Sequence, residues 1–428
     1  MLAALLLMAA PAFAFIVDPD VLSRREAGLS KEPTFSPHVQ WKYDWLDGNR
    51  NNTIGAARQA DPVPLPVPPN ITPSGYSPQQ ILKAYGLTNS PTAGSGQTIV
   101  IVDAYGGPSV QSDFSAFNTQ FGLPDISLDI RYPMGHPTSQ NSGWLMETCL
   151  DVEWAHALAP GAKIILLIAP DNSYSNILGC VQYATKNLNP TAISLSLGGS
   201  ESPGSQTQDS YFPAGFTYTI STGDSGAGVE YPSSTPNSLA VGGTSLYYNS
   251  KNSTFSEHAW SGSGGGVSQF EPIPNWQVGS VPSKVARCVP DVSLVADPYT
   301  GVAVMANGGW YKVGGTSLSA PCWAGIIARR AANTGGNHVQ AFYQYYKSQY
   351  SQFFNDIVIG NTGLPAKKGY DLATGVGSPI GSAIVSGSGG GSGSIVRSSG
   401  PTRSSGSERS GGAIRSGGTI RQGGPQRQ

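Results

Sequence analysis

The sequence predicts an α/β domain with a mainly parallel central sheet and helices on both faces, followed by a disordered C-terminal tail. Three observations predict it. Continuously apolar, β-branched runs recur between about residues 98 and 245 with amphipathic stretches between them, the pattern of βα units. Runs this apolar are strands that helices bury on both faces. The 428 residues include 55 Gly and 33 Pro but only 12% charged side chains, which suits a loop-rich chain with one large core and excludes collagen, coiled coil and disorder along the whole length.

Residues 2–14, LAALLLMAAPAFA, form an apolar run closing on Ala12-Phe13-Ala14, the small-x-small pattern read by a signal peptidase. We read 1–14 as a secretion signal and expect a secreted, extracellular protein. No run approaches 18 unbroken apolar residues, so no transmembrane segment is expected. Residues 15–72 are polar and irregular and end in a tract, 61–73, whose six prolines impose an extended linker. They read as a short pro-segment or a stalk, leaving the main domain over 73–385.

Within that domain we expect strands at 98–105, 163–169, 192–197, 217–223 and 239–245. Helices are expected at about 145–159 and 174–187, with a third beginning near Ser317. None of the four cysteines forms a CxxC pair. In an exported chain the expected disulfides are Cys149 with Cys180 and Cys288 with Cys322; four buried thiols are the alternative.

A net charge of -1 argues against binding to nucleic acid, which needs a concentrated surplus of Lys and Arg. The charge is unevenly spread: from Ser386 onward there are six Arg and one Glu, and the arginines recur every sixth residue from Arg397 to Arg427. This tract, 386–428, has almost no large apolar side chains and cannot offset the entropy of folding. It reads either as a tether to an anionic polymer or surface or as a solvated low-complexity tail.

The strongest chemical signal is GGTSLSAP, 314–321, a glycine turn that delivers Ser317 to the start of a helix. A helix N-terminus offers unpaired N–H groups and the positive end of a dipole, which favour a developing oxyanion. A nucleophilic serine needs a base, and histidine is the common one. Of the five histidines none has a fitting context, and His156 falls on the opposite helix face from Glu147, so it reads as a packing or surface residue. Glu147 and Asp151, four residues apart, instead share a face with Leu150, Trp154 and Leu158. Two carboxyls on an apolar stripe raise one another's pKa and tend to share a proton. A third, Asp224, lies in STGDSG (221–226) at a strand's C-terminal end, where open α/β sheets place their sites. If protonated, it can donate a hydrogen bond to an oxyanion.

By these residues the chain resembles the sedolisin family of serine-carboxyl peptidases. The marks are the Glu-x-x-x-Asp helix at Glu147 and Asp151, the GDSG loop at Asp224 and the GTSxSxP serine at Ser317, in the family's order. GYSPQQILKAYGL, EWAHALAPGAKI, WSGSGGGVSQF and VPDVSLVADPYTG also look like this family, so the likeness spans roughly residues 72–382.

The resemblance implies a subtilisin-like fold in which Ser317 attacks the peptide carbonyl, Glu147 takes its proton, Asp151 holds the glutamate, and Asp224 with the Ser317 N–H stabilises the oxyanion. It implies substrate backbone pairing with Ser196, Leu197 and Gly198. It also implies one Ca2+ site, held by the side chains of Asp356 and Asp371 and the carbonyls of Ile357, Lys367 and Gly369. The chain departs from the family at Leu197, where tryptophan is frequent, at Asp103, where glutamate is frequent, and in a shorter segment before the domain. The expected function is that of a secreted, monomeric, acid-active serine-carboxyl endopeptidase acting on protein or peptide substrates. The alternative is a catalytically silent peptide-binding surface module of the same fold; a Ser/His/Asp protease is disfavoured because Glu147 stands where the histidine would.

Overall fold

Alternation along the apolar strands decides how the central sheet is clad. The computed structural model describes residues 33–42, 55–56, 73–331 and 338–388. The signal-like run at 2–14, most of the proline tract and the arginine tract lie outside the described residues. In chain order the elements that build the site are Thr98–Ala104 (β1), Val110–Phe121 (α1), Asp129–Arg131 (β2), Ser142–Leu158 (α2), Lys163–Ala169 (β3), Tyr174–Asn187 (α3), Ala192–Leu195 (β4), Tyr218–Ser221 (β5), Ser238–Asn249 (β6), Thr254–Ala259 (β7), Val292–Val295 (β8) and Thr316–Ala331 (α4). The strands form one eight-stranded sheet in the order β7-β6-β5-β4-β1-β3-β2, with β8 alongside β6. Every pairing is parallel except β6 with β7.

Side chains of odd-numbered β1 residues, such as Ile99 and Ile101, enter the core that holds Leu150 and Trp154 of α2 and Leu318 and Trp323 of α4. The even-numbered Val100, Val102 and Ala104 enter a second core with Ile177, Leu178 and Val181 of α3. This period-two alternation explains why the strands are apolar throughout. It also overturns the expected pairing of Cys149 with Cys180, because Cys149 belongs to the first core and Cys180 to the second. All four cysteines are free, buried thiols, Cys288 and Cys322 included.

Helix α2 differs from a surface helix with one apolar stripe. Fifteen of its residues are buried, from Gly143 to Leu158 with only Leu145 excepted, so its carboxyls are held in the interior from every side. His156 packs edge-on against Phe114 and bonds the Pro124 carbonyl at 2.8 Å, in agreement with a packing role.

Two further differences bear on the site. The run at 192–197 is not one strand: β4 ends at Leu195, and Leu197–Ser200 leaves the sheet to pair antiparallel with Ser36–Pro37 on one side and Glu230–Tyr231 on the other. The stretch before residue 72 is therefore not wholly irregular. Beyond His38 the same segment continues as the strand Gln40–Lys42, antiparallel to Gly309–Gly314, the strand that leads into α4.

Candidate active site

Helix α4 starts at Thr316 after Gly315, whose φ of +109° suits glycine. A Cβ there would collide with the His38 carbonyl and approach Asp224 Oδ2 to 2.7 Å. The bare turn presents Ser317, fully buried, to the interior. Its Oγ donates to Glu147 Oε2 at 2.9 Å and also lies 3.3 Å from the Ser196 carbonyl. Its N–H donates to the carbonyl oxygen of His38 at 3.2 Å.

Pro321 lies inside this helix, where a missing N–H leaves a carbonyl one turn back without its partner. It falls four residues after Ser317, and so withholds the N–H that would bond the Ser317 carbonyl. Ser196 fills that vacancy: its Oγ is 3.1 Å from the Ser317 carbonyl and 2.7 Å from Asp151 Oδ1. A hydroxyl has one proton to give. When Asp151 is protonated it donates to Ser196, and Ser196 in turn donates to the carbonyl.

Three carboxyls, Glu147, Asp151 and Asp103, are completely buried in this core. Burial first, then the charges of Asp151 and Asp103, push Glu147 well above the usual carboxyl range. Burial and Asp103 do the same to Asp151, against the opposing pull of Ser196. Asp103, at the end of β1 on the face of α2, is raised to about 7 by burial. Among the described residues, Glu147 Oε1, Asp151 Oδ2 and both oxygens of Asp103 have no hydrogen-bond partner. Unpartnered carboxyl oxygens in a dry core favour the protonated form, so the cluster holds less than its full complement of charge at neutral pH.

Asp224 sits on the other side of the serine. Its Oδ1 accepts both the N–H and the hydroxyl of Thr316, each at 2.8 Å, while Oδ2 is buried and has no partner among the described residues. Burial pushes its pKa up to about 7, against the lowering effects of His38 and Thr316. Oδ2 shares the space over Gly315 with the His38 carbonyl oxygen, the atom bonded to the Ser317 N–H.

The structure thus brings Ser317, Glu147, Asp151 and Asp224 together with Ser196 and Asp103. Leu197 and Gly198 pair with Pro37 and Ser36. Asp356, Ile357, Lys367, Gly369 and Asp371 form a separate loop cluster. Both Asp356 carboxyl oxygens accept from the Gly369 N–H at 3.1 and 3.2 Å, and Asp371 accepts from the Lys367 N–H at 2.8 Å. Sequence reasoning missed His38, Thr316, Ser221 and Glu230. A threonine beside the serine was visible in GTS; nothing in the polar stretch before residue 72 pointed to His38.

A mainly parallel α/β sheet with a buried serine at the start of a helix, hydrogen-bonded to a buried carboxyl group, defines a subtilisin-like fold. The subtilase family model matches residues 139–344. Kumamolisin of Bacillus sp. (strain MN-32) is 31% identical over 363 residues, 73% of this chain and 63% of the relative. Sedolisin of Pseudomonas sp. (strain 101) is 28% identical over 355 residues, 72% of this chain and 60% of the relative. The solved structure of Pseudomonas sedolisin, a serine-carboxyl proteinase complexed with two molecules of pseudo-iodotyrostatin, superposes with a TM-score of 0.67 at 26% identity. That match covers 73% of this chain and 98% of the other. The chain is similar to these sedolisin-type relatives over about seven tenths of its own length, and it spans about six tenths of theirs.

Raised carboxyl pKa values set how stability depends on pH. Asp103 and Asp224, raised from 3.8 to about 7, bind more protons folded than unfolded between those limits. The stability these two carboxyls contribute is therefore fully present below about pH 4 and is lost as pH rises through about 7. Thermal unfolding across this range should show Tm highest in acid and falling toward neutrality, and Asp103→Asn should flatten the fall. A Tm that rises from pH 4 to pH 7 would contradict the protonated cluster.

Proposed function

We propose that the protein is a secreted, acid-active serine-carboxyl endopeptidase that hydrolyses peptide bonds of proteins or peptides. The observation that carries this reading is the 2.9 Å hydrogen bond from Ser317 Oγ to Glu147, at a helix start where Asp224 and the Ser317 N–H face one carbonyl oxygen. No helix among the described residues is long and apolar enough to cross a membrane, which is compatible with export.

In the proposed reaction Ser317 Oγ attacks the carbonyl carbon and passes its proton to Glu147. When Glu147 acts as the base it carries the single negative charge of the buried cluster, and repulsion then keeps Asp151 and Asp103 protonated. The tetrahedral oxyanion receives hydrogen bonds from the Ser317 N–H and from protonated Asp224. Glu147 returns the proton to the leaving amine, and water resolves the acyl-enzyme by the same route. Acid is required because Asp224 must keep its proton to donate. Residues before 73 are proposed as a pro-segment, a reading supported by the strand at 36–42, which lies in the cleft.

Calcium is proposed at the Asp356–Asp371 cluster. Its donors are all oxygens, as the ion prefers. The carbonyls of Ile357, Lys367 and Gly369 accept no hydrogen bond among the described residues and are available to a cation. Bound there, the ion would tie the loop to the carboxylates and supply stability rather than chemistry.

Three outcomes test the reading. Digestion of a denatured protein between about pH 2.5 and 8 should be confined to acid, and Ser317→Ala or Glu147→Gln should each lower kcat about 10⁴-fold or more. Asp224→Asn should keep part of the activity and carry it to higher pH, because an amide at this position accepts from Thr316 with its oxygen and donates with its nitrogen at any pH. A chelator should lower Tm by several degrees, with recovery on adding Ca2+. Unchanged activity in Ser317→Ala would refute the mechanism, and indifference to chelator would refute the metal site.

A further inference from the structure

Ser196 stands between α4, which carries Ser317, and α2, which carries Asp151. It follows the last residue of β4 and precedes the strand Leu197–Ser200, so it occupies the point at which the chain leaves the central sheet. Ser196, Asp151 and Ser317 are all completely buried. Three contacts run from Ser196: its hydroxyl lies 2.7 Å from Asp151 Oδ1 and 3.1 Å from the Ser317 carbonyl, and its own carbonyl lies 3.3 Å from Ser317 Oγ. Ser317 is therefore held by both its main chain and its side chain from a residue 121 positions away.

Pro321 makes the main-chain contact possible. In an α-helix the carbonyl of residue 317 bonds the N–H of residue 321, and proline has none to give. A helix that loses such a bond is weakened where it is lost, here in the turn that presents the nucleophile. The carbonyl is served instead by a hydroxyl from outside the helix.

That hydroxyl has one proton and two lone pairs. It can donate to the Ser317 carbonyl only while Asp151 donates to it. Asp151 is suited to this, because burial and the neighbouring Asp103 hold its carboxyl well above the usual range and so keep its proton in place. Its other oxygen, Oδ2, has no partner among the described residues, so the contact with Ser196 is the one that orients the group. A chain of two hydrogen bonds then leads from the acid on α2 to the backbone of the serine on α4.

We infer that Ser196 and Pro321 act as a pair that positions the nucleophile: the proline withdraws the helix's own bond from the Ser317 carbonyl, and the Ser196 hydroxyl, oriented by Asp151, takes that carbonyl and sets the serine against Glu147. This assignment rests on the peptidase reading above. The Ser196 hydroxyl is a positioning group, and bond chemistry stays with Ser317 and Glu147. The Ser196 carbonyl, to which the His38 N–H donates at 3.3 Å, belongs to the main chain and remains available to an extended backbone whatever the side chain.

The test is a double-mutant cycle in the full chain, with kcat and KM read at acid pH on one peptide that the wild type cleaves and Tm recorded for every variant. Ser196→Ala removes the hydroxyl, and Pro321→Ala returns an N–H to the Ser317 carbonyl. Ser196→Ala alone should lower kcat about tenfold or more and leave KM within about threefold. In the Pro321→Ala background the same substitution should lower kcat by less than about threefold, because the helix then holds the carbonyl itself. An equal loss in both backgrounds overturns the pairing, and so does an unchanged kcat in Ser196→Ala. Should Ser196→Ala fold too poorly to assay, the cycle is read in Tm: a cost that shrinks in the Pro321→Ala background supports the pairing, and an undiminished cost overturns it. Inertness of the wild type toward denatured protein and peptides alike overturns the peptidase reading, and this one with it.

Discussion

The contact between Ser317 and Glu147 is the constraint around which the rest of the site is arranged. It joins two helices inside a core that admits no solvent to either side chain, so the carboxyl group loses hydration worth several kcal/mol if ionised alone. Among the described residues no cation is set against it. The protein places two more carboxyls nearby, Asp151 and Asp103, whose charges raise each other's pKa further. A group of this kind keeps protons where a solvated carboxylate would lose them. The same burial that makes ionised Glu147 costly also makes it basic, and basicity is what a serine hydroxyl requires of its partner.

Hydroxyl groups carry the arrangement outward. Ser196 connects Asp151 to the Ser317 carbonyl, which is open because Pro321 has no N–H to offer it. Thr316 fixes Asp224 from both its backbone and its side chain, leaving one carboxyl oxygen turned toward the space above Gly315. Each hydroxyl holds a carboxyl by accepting or donating one proton, so the geometry tolerates changes in protonation that a salt bridge would not. A buried ion pair broken by protonation leaves an uncompensated charge; a hydroxyl rotates.

Much of this was legible in the sequence because the relevant information is local. The apolar runs at 98–105, 163–169 and 217–223 became β1, β3 and β5 with boundaries displaced by a residue or two, since a strand buried on both faces has no polar residue to blur its pattern. The ExxxD, GDSG and GTSxSxP motifs each fix a backbone turn or helix spacing, and their order could be read directly. Contacts between distant segments could not. His38 meets Glu230 across 192 residues and Ser221 across 183, and its own segment is polar and short, with no periodicity to mark it as a strand. The disulfide expectation failed for a related reason: spacing along the chain carries no record of which face of a sheet a cysteine enters.

The strand at 36–42 shows how closely the cleft's two halves depend on one another. Upstream of His38 the segment completes a sheet with Leu197–Ser200, whose course away from β4 begins at Ser196, the residue bonded to Asp151. Downstream it completes a sheet with Gly309–Gly314, which runs directly into Ser317. Main-chain pairing on both sides supplies affinity for any extended backbone and distinguishes little between sequences. Discrimination must then come from side-chain pockets. The one occupied beside the serine holds the His38 ring between Glu230 and Ser221. A segment that pairs on both sides of Ser317 and sets its own carbonyl at the serine N–H fills the place an extended backbone would take there, so the two cannot be seated together.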